Sequence, residues 1–535
     1  MMMTVRTPAA VLSHWRRGIK KEYRTAFVSA FVIGLLIHMP VLLSDIPNHD
    51  GLGSMYFDQN MITSGRWFLT VACGFSSYFT IPWVIGLLGL LFLGLTAAAL
   101  TALFELKDTV SIILVSGLLV SFPALASTFA YVFTLDGYML ALLLAVLSVL
   151  CTKKWKRGFV PGAVCLAFSM GTYQAYLPFA ILLCIYEVLL IFMGEGVPKA
   201  AKSGGKTHAF SGLCTKFQMA LRYLCMGVFG VILYYVLLRV LLWIQGKELD
   251  TYQGINGMES GASVMNLSTV AHIYRDFFSF TVKGNVLFNS LYSLGALLVL
   301  ACAVIFAVCR LVLQRKWWKC VGFFAIIALA AVVVPLATNV ILLISPEVTY
   351  HLLMRYQWVL YLILPVAFVS RYGGTDKKGA MLQWGMLLAV SVLMFHYAVT
   401  DNIGYSNLQK RYEKTYAYCV RLLDRIEQTE GYYQGIPIAM VGVVGYNPFP
   451  GTDITLPVTS NMIGLNGDTL LYTGDNYRVF IQNYLGATLN IMTVEEMGDF
   501  YFSQEYIEME SFPAASSVKI VDGIMYVKTE NVGRD

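Results

Sequence analysis

Ser169–Tyr176 reads SMGTYQAY, a polar interruption in the middle of an otherwise apolar stretch running from Phe159 to Gly194. Read as part of one long helix, it leaves an even number of membrane crossings. Read as a break between two short helices, about 159–174 and 177–194, it gives eleven and inverts every loop that follows. A crossing helix needs roughly 17–25 apolar residues. The other ten candidates on this reading are about 26–43, 82–104, 110–130, 137–151, 222–244, 289–311, 320–344, 355–371 and 379–399, together with the second half of the disputed stretch.

Loop charge decides between the two, because cytoplasmic loops carry the excess of Lys and Arg. With the break in place and the N-terminus inside, segments 1–25, 105–109, 152–158, 195–222, 310–319 and 371–378 hold 23 basic residues. The opposite loops hold five: Arg66, Lys247, Arg275, Lys283 and Arg355. That asymmetry survives only with eleven spans. The expected fold is therefore mainly α, a polytopic membrane bundle, and the loop 44–81 faces outside.

Composition agrees. Of 535 residues, 57% are hydrophobic and 13% charged, which suits a lipid-solvated chain and disfavours a set of soluble domains. The first apolar run lacks a small-residue cleavage pattern and reads as a retained helix. Ten cysteines are scattered without a Cys-x-x-Cys pair, so they read as small hydrophobes. A Cys73–Cys419 bridge is conceivable if both face outside. No cofactor is expected, and no His cluster or DxD marks a divalent cation site.

After residue 400 the chain changes character, with nine Lys and Arg against seventeen Asp and Glu. "YEKTYAYCVRLLDRIEQTE" places Tyr412, Tyr416, Leu423 and Ile426 on one helical stripe. "GIPIAMVGVVGYN" reads as a buried strand and "SVKIVDGIMYVKT" as a hairpin turning at Asp-Gly. The expected domains are a cytoplasmic segment 1–25, a membrane domain 26–400, and a small extracytoplasmic α/β domain 401–535. The location is a plasma membrane, with the N-terminus inside and the C-terminal domain outside.

Polar groups near the outer ends of helices are informative, because an ionisable group in hydrocarbon costs about 2.5–3.5 kcal/mol or more. Asp50, in "PNHDGLG", either hydrogen-bonds its own turn or faces a substrate. Asp45 at a helix end reads as a cap or a solvated anchor. Asp58 falls in "SMYFDQNMITSGRWF", which has the pattern of an amphipathic helix at the interface. Asp136 is the only charge between Asp108 and Lys153, and stands as a turn residue or a functional acid at the outer surface. Tyr173 and Gln174 suit sugar hydroxyls as well as an interfacial belt. Arg239 and Arg355 suit a lipid phosphate or snorkel to the interface. Lys283 follows the amphipathic piece "MNLSTVAHIYRDFFSF", suited to lying on the surface. Carboxylates, aromatics and a few cations thus gather on one face, a set suited to a reaction between a lipid-linked phosphosugar and a hydroxyl. One carboxylate would take the acceptor proton and a cation would steady the departing phosphate.

The loop ending in SGRWF (Ser64–Phe68), then FAYVFTLDGY (Phe129–Tyr138), SMGTYQAY, and DNIGYSNLQKRYEKT (Asp401–Thr415) resemble the GtrII-type membrane glucosyltransferases. That resemblance implies a GT-C-like bundle taking sugar from undecaprenyl phosphate, with a catalytic acid in the first outer loop. By carry-over Asp50 is the first candidate for general base, then Asp45 and Asp58, with Asp136 a second acid near the acceptor. Arg66 becomes a phosphate or loop-anchoring contact. His49–Asp50 stands where an acidic pair is expected, leaving open which acid carries the chemistry. The implied partners are the polyprenyl-phosphate-sugar donor, an O-antigen or teichoic acid-like polysaccharide acceptor, the bilayer, and a donor synthase and flippase; nucleic acid is not among them. A lipid-linked-sugar flippase and a polysaccharide polymerase or ligase are the alternatives. The first wants charges buried in mid-span, the second a key loop late in the bundle.

Overall fold

The computed structural model describes residues 7–48, 50–53, 59–74, 80–195, 206–250, 267–317, 321–345, 348–441, 456–465, 471, 474–498, 500 and 503–529. The break at SMGTYQAY is present. Helix α6 (Phe159–Thr172) stops where Tyr173 turns extended (φ −155°, ψ 107°); a 3-10 turn covers Gln174–Tyr176, and α7 (Leu177–Phe192) restarts with Pro178 in its first turn. Proline there costs nothing, since first-turn N–H groups have no helical acceptor.

The bundle's other helices are α1 (Lys21–Leu42), α2 (Pro82–Phe104), α3 (Thr109–Ser121), α4 (Pro123–Ala130), α5 (Leu135–Lys154), α8 (Lys206–Gln245), α9 (Leu267–Lys283), α10 (Leu291–Gln314), α11 (Val321–Thr338), α12 (Leu360–Tyr372) and α13 (Lys377–Glu427). Among the described residues, eight helices are long and apolar enough to cross a membrane, or nine if α3 and α4 count as one span bent by 45°. Pro123 makes that bend, since Phe122 before it is extended. The molecule is a multi-pass membrane protein. The expected eleven exceeds this count by two, because α6 and the apolar part of α11 are shorter than a crossing wants.

Contacts nevertheless carry α6 from one end of the bundle to the other. Gly162 packs on the Ser148 carbonyl, and Ser169 donates to the Ala141 carbonyl (2.7 Å). Tyr173 then stacks on Tyr138 with ring centroids 4.0 Å apart. α7 returns, bringing Glu187 within 2.9 Å of Lys153. The pair α1/α2 packs through small residues: Leu42 lies over Gly86, and Phe27 over Gly94. Such close approach suits lipid-embedded helices, which associate by packing.

The two ends differ in chemistry. At one, Glu105 lies near Lys154 (3.4 Å) and Arg371 (3.5 Å), while Glu195 pairs with Arg371 (3.2 Å) and Arg315 (3.1 Å). The other carries Asp45, Asp50 and many aromatic rings. α13 starts at the first end, where Arg310 pairs with Asp376, passes His396 beside Asn289 (2.7 Å), and continues unbroken through the expected boundary at 400/401.

Beyond the bundle, α13 packs on a four-stranded sheet in the order β2-β1-β4-β3: β1 (Pro437–Val441), β2 (Asn490–Ile491), β3 (Val518–Val521) and β4 (Ile524–Lys528). β1 runs parallel to β2 and β4, and β3–β4 is the expected hairpin. Its turn residues Asp522 (φ 50°) and Gly523 (φ 79°) both take the left-handed region a two-residue hairpin requires. Of the expected stripe, Ile426 is buried and Tyr412 and Leu423 pack partly buried against the core, while Tyr416 is 41% exposed; Leu408, Thr415, Tyr418, Cys419 and Leu422 complete the buried face. Cys73 and Cys419 are both buried free thiols, so they form no bridge.

The C-terminal sheet region packs on the loop between α1 and α2. Gly464 packs on Tyr131, Ala130 and Asn48, held by Arg411, whose Nη2 donates to the Gly464 carbonyl (2.8 Å). The turn Asp50–Gly53 meets helix α14 (Gly474–Phe480).

Candidate active site

Residues 59–68, the described part of the stretch 54–68 expected as an amphipathic helix, form no α-helix. Met61 and Arg66 make an antiparallel bridge around a 3-10 turn, Ile62–Ser64, closed by Gly65 in the left-handed region (φ 77°). The turn is clasped from two helices. The Gln174 amide donates to the Ser64 carbonyl (3.0 Å), and the Tyr234 hydroxyl to the Gly65 carbonyl (3.1 Å). The Phe68 N–H donates to the Gly171 carbonyl (2.7 Å), and Asp250 N–H to the Thr63 carbonyl (2.9 Å). A Cβ on Gly65 would lie 2.6 Å from both Gln174 Nε2 and Tyr234 Oη, so glycine is needed for space as well as for φ.

Arg66 is held inside this clasp. Its Nη1 donates to Tyr138 (3.1 Å) and its guanidinium lies 5.3 Å from the Tyr173 ring centroid. Arg66, Tyr173 and Gln174, expected as substrate contacts, are therefore brought together, with their polar groups turned onto the loop and onto neighbouring tyrosines. This favours the loop-anchoring alternative for Arg66.

The acids separate. Asp50 opens the turn Asp50–Gly53 and is exposed. The turn is pinned by Asn48, which accepts from Gly51 N–H (2.8 Å) and donates to the Ala130 carbonyl (2.9 Å). Asp45 lies in a cleft with Asn48, Gly51, Thr80, Phe133 and, from the tail domain, Tyr484. Burial pushes its carboxyl above the usual carboxylate range, and Tyr412 and Tyr484 both feel its charge. Asp136 is not at the surface. It is fully buried in the first turn of α5, accepting from Gly137 N–H (2.9 Å) beside the Cys73 thiol. Asp58 and His49 lie outside the described residues.

The expected cations also divide. Arg355 is 5% exposed and forms a two-point pair with Asp276 of α9 (2.7 and 2.9 Å), sandwiched by Tyr350 and Phe280 rings. That arrangement binds α9 to the bundle and leaves the guanidinium committed. Arg239 and Lys283 are exposed, the latter at the end of α9. The carbonyl of Gly284 accepts from Asn461 (2.8 Å), so the tail segment 461–464 touches both the Lys283 loop and the Asp50 loop. Among the described residues no three His, Cys, Asp or Glu side chains gather at metal-binding distance.

Several residues of this region were not singled out in the sequence. His38 is fully buried, stacks on Phe129 at 4.0 Å, and meets the Val120 carbonyl through Nε2 (2.8 Å). A carbonyl only accepts, so Nε2 carries the proton and Nδ1 accepts from Tyr405 (2.6 Å). Asp401 is fully buried, and neither carboxyl oxygen has a hydrogen-bond partner among the described residues. The available signal was the spacing of Asp401 and Tyr405 on one helix, which marks a shared face and says nothing of depth.

A family model, Glucosyl transferase GtrII, matches residues 39–370. That span begins at the end of α1 and takes in the clasped loop, the cleft and the Arg355–Asp276 pair. No curated protein and no solved structure matches.

Proposed function

The chain belongs to the Glucosyl transferase GtrII family, and from that membership we propose that it moves glucose from undecaprenyl-phosphate-glucose to a hydroxyl of a cell-envelope polysaccharide, at the outer face of a bacterial plasma membrane. A hydroxyl oxygen of the acceptor attacks the anomeric carbon as the bond from that carbon to the phosphate oxygen breaks. The hydroxyl proton passes to Asp50, and undecaprenyl phosphate leaves.

The observation that carries the reading is the loop between α1 and α2. It presents Asp45 in a cleft and Asp50 on the adjoining turn, while its far half is clamped by Arg66, Gln174 and Tyr234. A general base must be held still within reach of the proton it takes, and a pinned, exposed turn meets that need. Asp45, in the same cleft, orients the acceptor. Lys283 and Arg239 carry the exposed cationic heads suited to the phosphate. Orientation follows from charge: the basic end of the bundle lies in the cytoplasm, and the end bearing Asp50 and the tail domain outside.

The test is transfer of labelled glucose from undecaprenyl-phosphate-glucose to envelope polymer in membranes, comparing wild type with Asp50→Asn at matched expression. A loss of about 100-fold or more, the scale of a missing general base, with donor binding intact, is the expected result. Near-normal transfer by the variant moves the role to Asp45. Absence of transfer by wild type with several donor sugars overturns the reading in favour of a lipid-linked-sugar transporter.

A further inference from the structure

A second cleft lies on the other side of the segment 41–46 from the cleft holding Asp45, sharing Val41, Ser44 and Ile46 with it. Its far wall is one face of α13: Asn402, Tyr405, Ser406 and Gln409, a spacing of three and four that lines side chains up along a helix. We propose that this cleft binds a sugar unit of the acceptor polysaccharide, with Asn402, Ser406 and Gln409 taking its hydroxyls beside the Tyr405 ring. The proposal rests on the transfer reaction above and names where the acceptor sits.

The chemistry of the wall carries it. Asn402 spends its NH2 on the Ala398 carbonyl (2.8 Å) and the Ile37 carbonyl (3.3 Å), which leaves its amide oxygen to accept. Tyr405 donates a hydrogen bond to the buried His38 and is itself 5% exposed, so it lends the wall its ring. Gln409 donates to Glu413 (2.7 Å), again leaving the carbonyl oxygen. Ser44 donates to the Pro40 carbonyl (2.8 Å) in the same way. The result is a row of neutral acceptors over an apolar floor of Val41 and Ile46, complementary to hydroxyl donors and the apolar faces of a sugar ring.

A lipid phosphate calls for the opposite chemistry, and no Lys or Arg is among the described residues lining the cleft. Position agrees. Asn402 lies about 37 Å along α13 from Lys377 at 1.5 Å per residue, past a hydrocarbon core of roughly 30 Å. The cleft encloses about 250 Å³, just below the roughly 300–1,000 Å³ of sites for whole small molecules and matched to a single sugar unit. A polymer seated there crosses Ser44 to reach Asp45 and the Asp50 turn.

The test uses the full chain in detergent, undecaprenyl-phosphate-glucose as donor, and polysaccharide released from the envelope of the expressing bacterium. Ser406→Leu with Gln409→Leu alters two exposed positions and leaves packing intact. The concentration of polysaccharide giving half-maximal transfer is expected to rise about tenfold, the scale of two lost hydrogen bonds, with that for donor unchanged. An unchanged polysaccharide requirement, or a rise in the donor requirement instead, overturns the proposal. If wild type transfers nothing, the transfer reading has failed, and retention on immobilised polysaccharide decides the cleft separately. Retention of wild type and release of the double variant support it, and no retention of wild type overturns it.

Discussion

Two buried carboxylates, one towards each end of the bundle, live under different rules. Glu187 is 3% exposed and meets Lys153 at 2.9 Å, with that ammonium also donating to the Leu103 carbonyl (2.6 Å). Asp401 is fully buried, has no hydrogen-bond partner among the described residues, and is surrounded by rings such as Tyr397 and Tyr405. Around Glu187 the cost of burying charge is met by opposite charge, and Glu105 and Glu195 extend the same solution outward. Around Asp401 the cations are elsewhere: Arg66 goes to tyrosines and Arg355 to Asp276. One end is built as an ion-pair lattice, and the other as an aromatic frame that holds its loops by backbone hydrogen bonds.

The comparison breaks most severely at Lys153. Lys153→Met leaves Glu187 buried and unpaired, and is expected to cost about 3–5 kcal/mol, read as a lowered thermal midpoint in detergent. Adding Glu187→Leu should recover most of that loss, because the isolated charge is then gone. A single variant as stable as wild type would show that Glu187 needs no counter-ion. At the aromatic end the corresponding weak point is steric. Gly65→Ala sets a Cβ 2.6 Å from Gln174 and Tyr234 at φ 77°, with an expected cost of about 1–3 kcal/mol. Limited proteolysis of the loop should rise with it, and unchanged protection would mean that the clasp yields.

Much of this was legible beforehand, for a physical reason. Lipid demands long apolar runs, so spans stand out in sequence, and the eight-residue polar interruption at Ser169–Tyr176 could not be hidden inside one. The hairpin at Asp522–Gly523 was legible because few residues tolerate its dihedrals. Less local facts were not. Arg355 and Asp276 are 79 residues apart, and no periodicity links them. The 59–68 loop has the alternation of a helix, but its hydrogen bonds go to Gly171, Gln174 and Tyr234 on other elements. Of the expected stripe on α13 only Tyr416 was misplaced, because aromatic residues mark two faces there and only the sheet decides which one is covered.

Asp401 offers a smaller and sharper contrast with Glu187. Asp401→Asn keeps the shape and removes the possibility of charge, so thermal stability should stay within about 1 kcal/mol of wild type or rise, since a partnerless buried acid contributes no pairing to lose. A loss above about 2 kcal/mol would reveal a partner that only the acid can engage.

The smallest effect is a difference in sign with pH. Burial pushes the Glu105 carboxyl up, but Lys153, Lys154 and Arg371 outweigh it and hold it below the usual value of 4.5. Burial is likewise overcome at Glu195 by Arg371 and Arg315. For both, the unfolded chain binds protons more readily than the folded one, so their stabilisation is complete above pH 4.5 and fades as pH falls through the lowered folded values. Asp45 runs the other way, because its folded value is raised above 3.8 by burial. Its folded form holds the proton longer, so stability is greatest below pH 3.8 and declines as pH climbs through the folded value. Thermal midpoints across pH 3.5 to about 7 should therefore separate two variants. Glu105→Gln loses most against wild type near neutrality and converges with it in acid. Asp45→Asn matches wild type in acid and gains on it near neutrality. Parallel curves for the two would mean that both carboxylates see the same surroundings, and the division of the bundle into a paired end and an aromatic end would not extend to its rims.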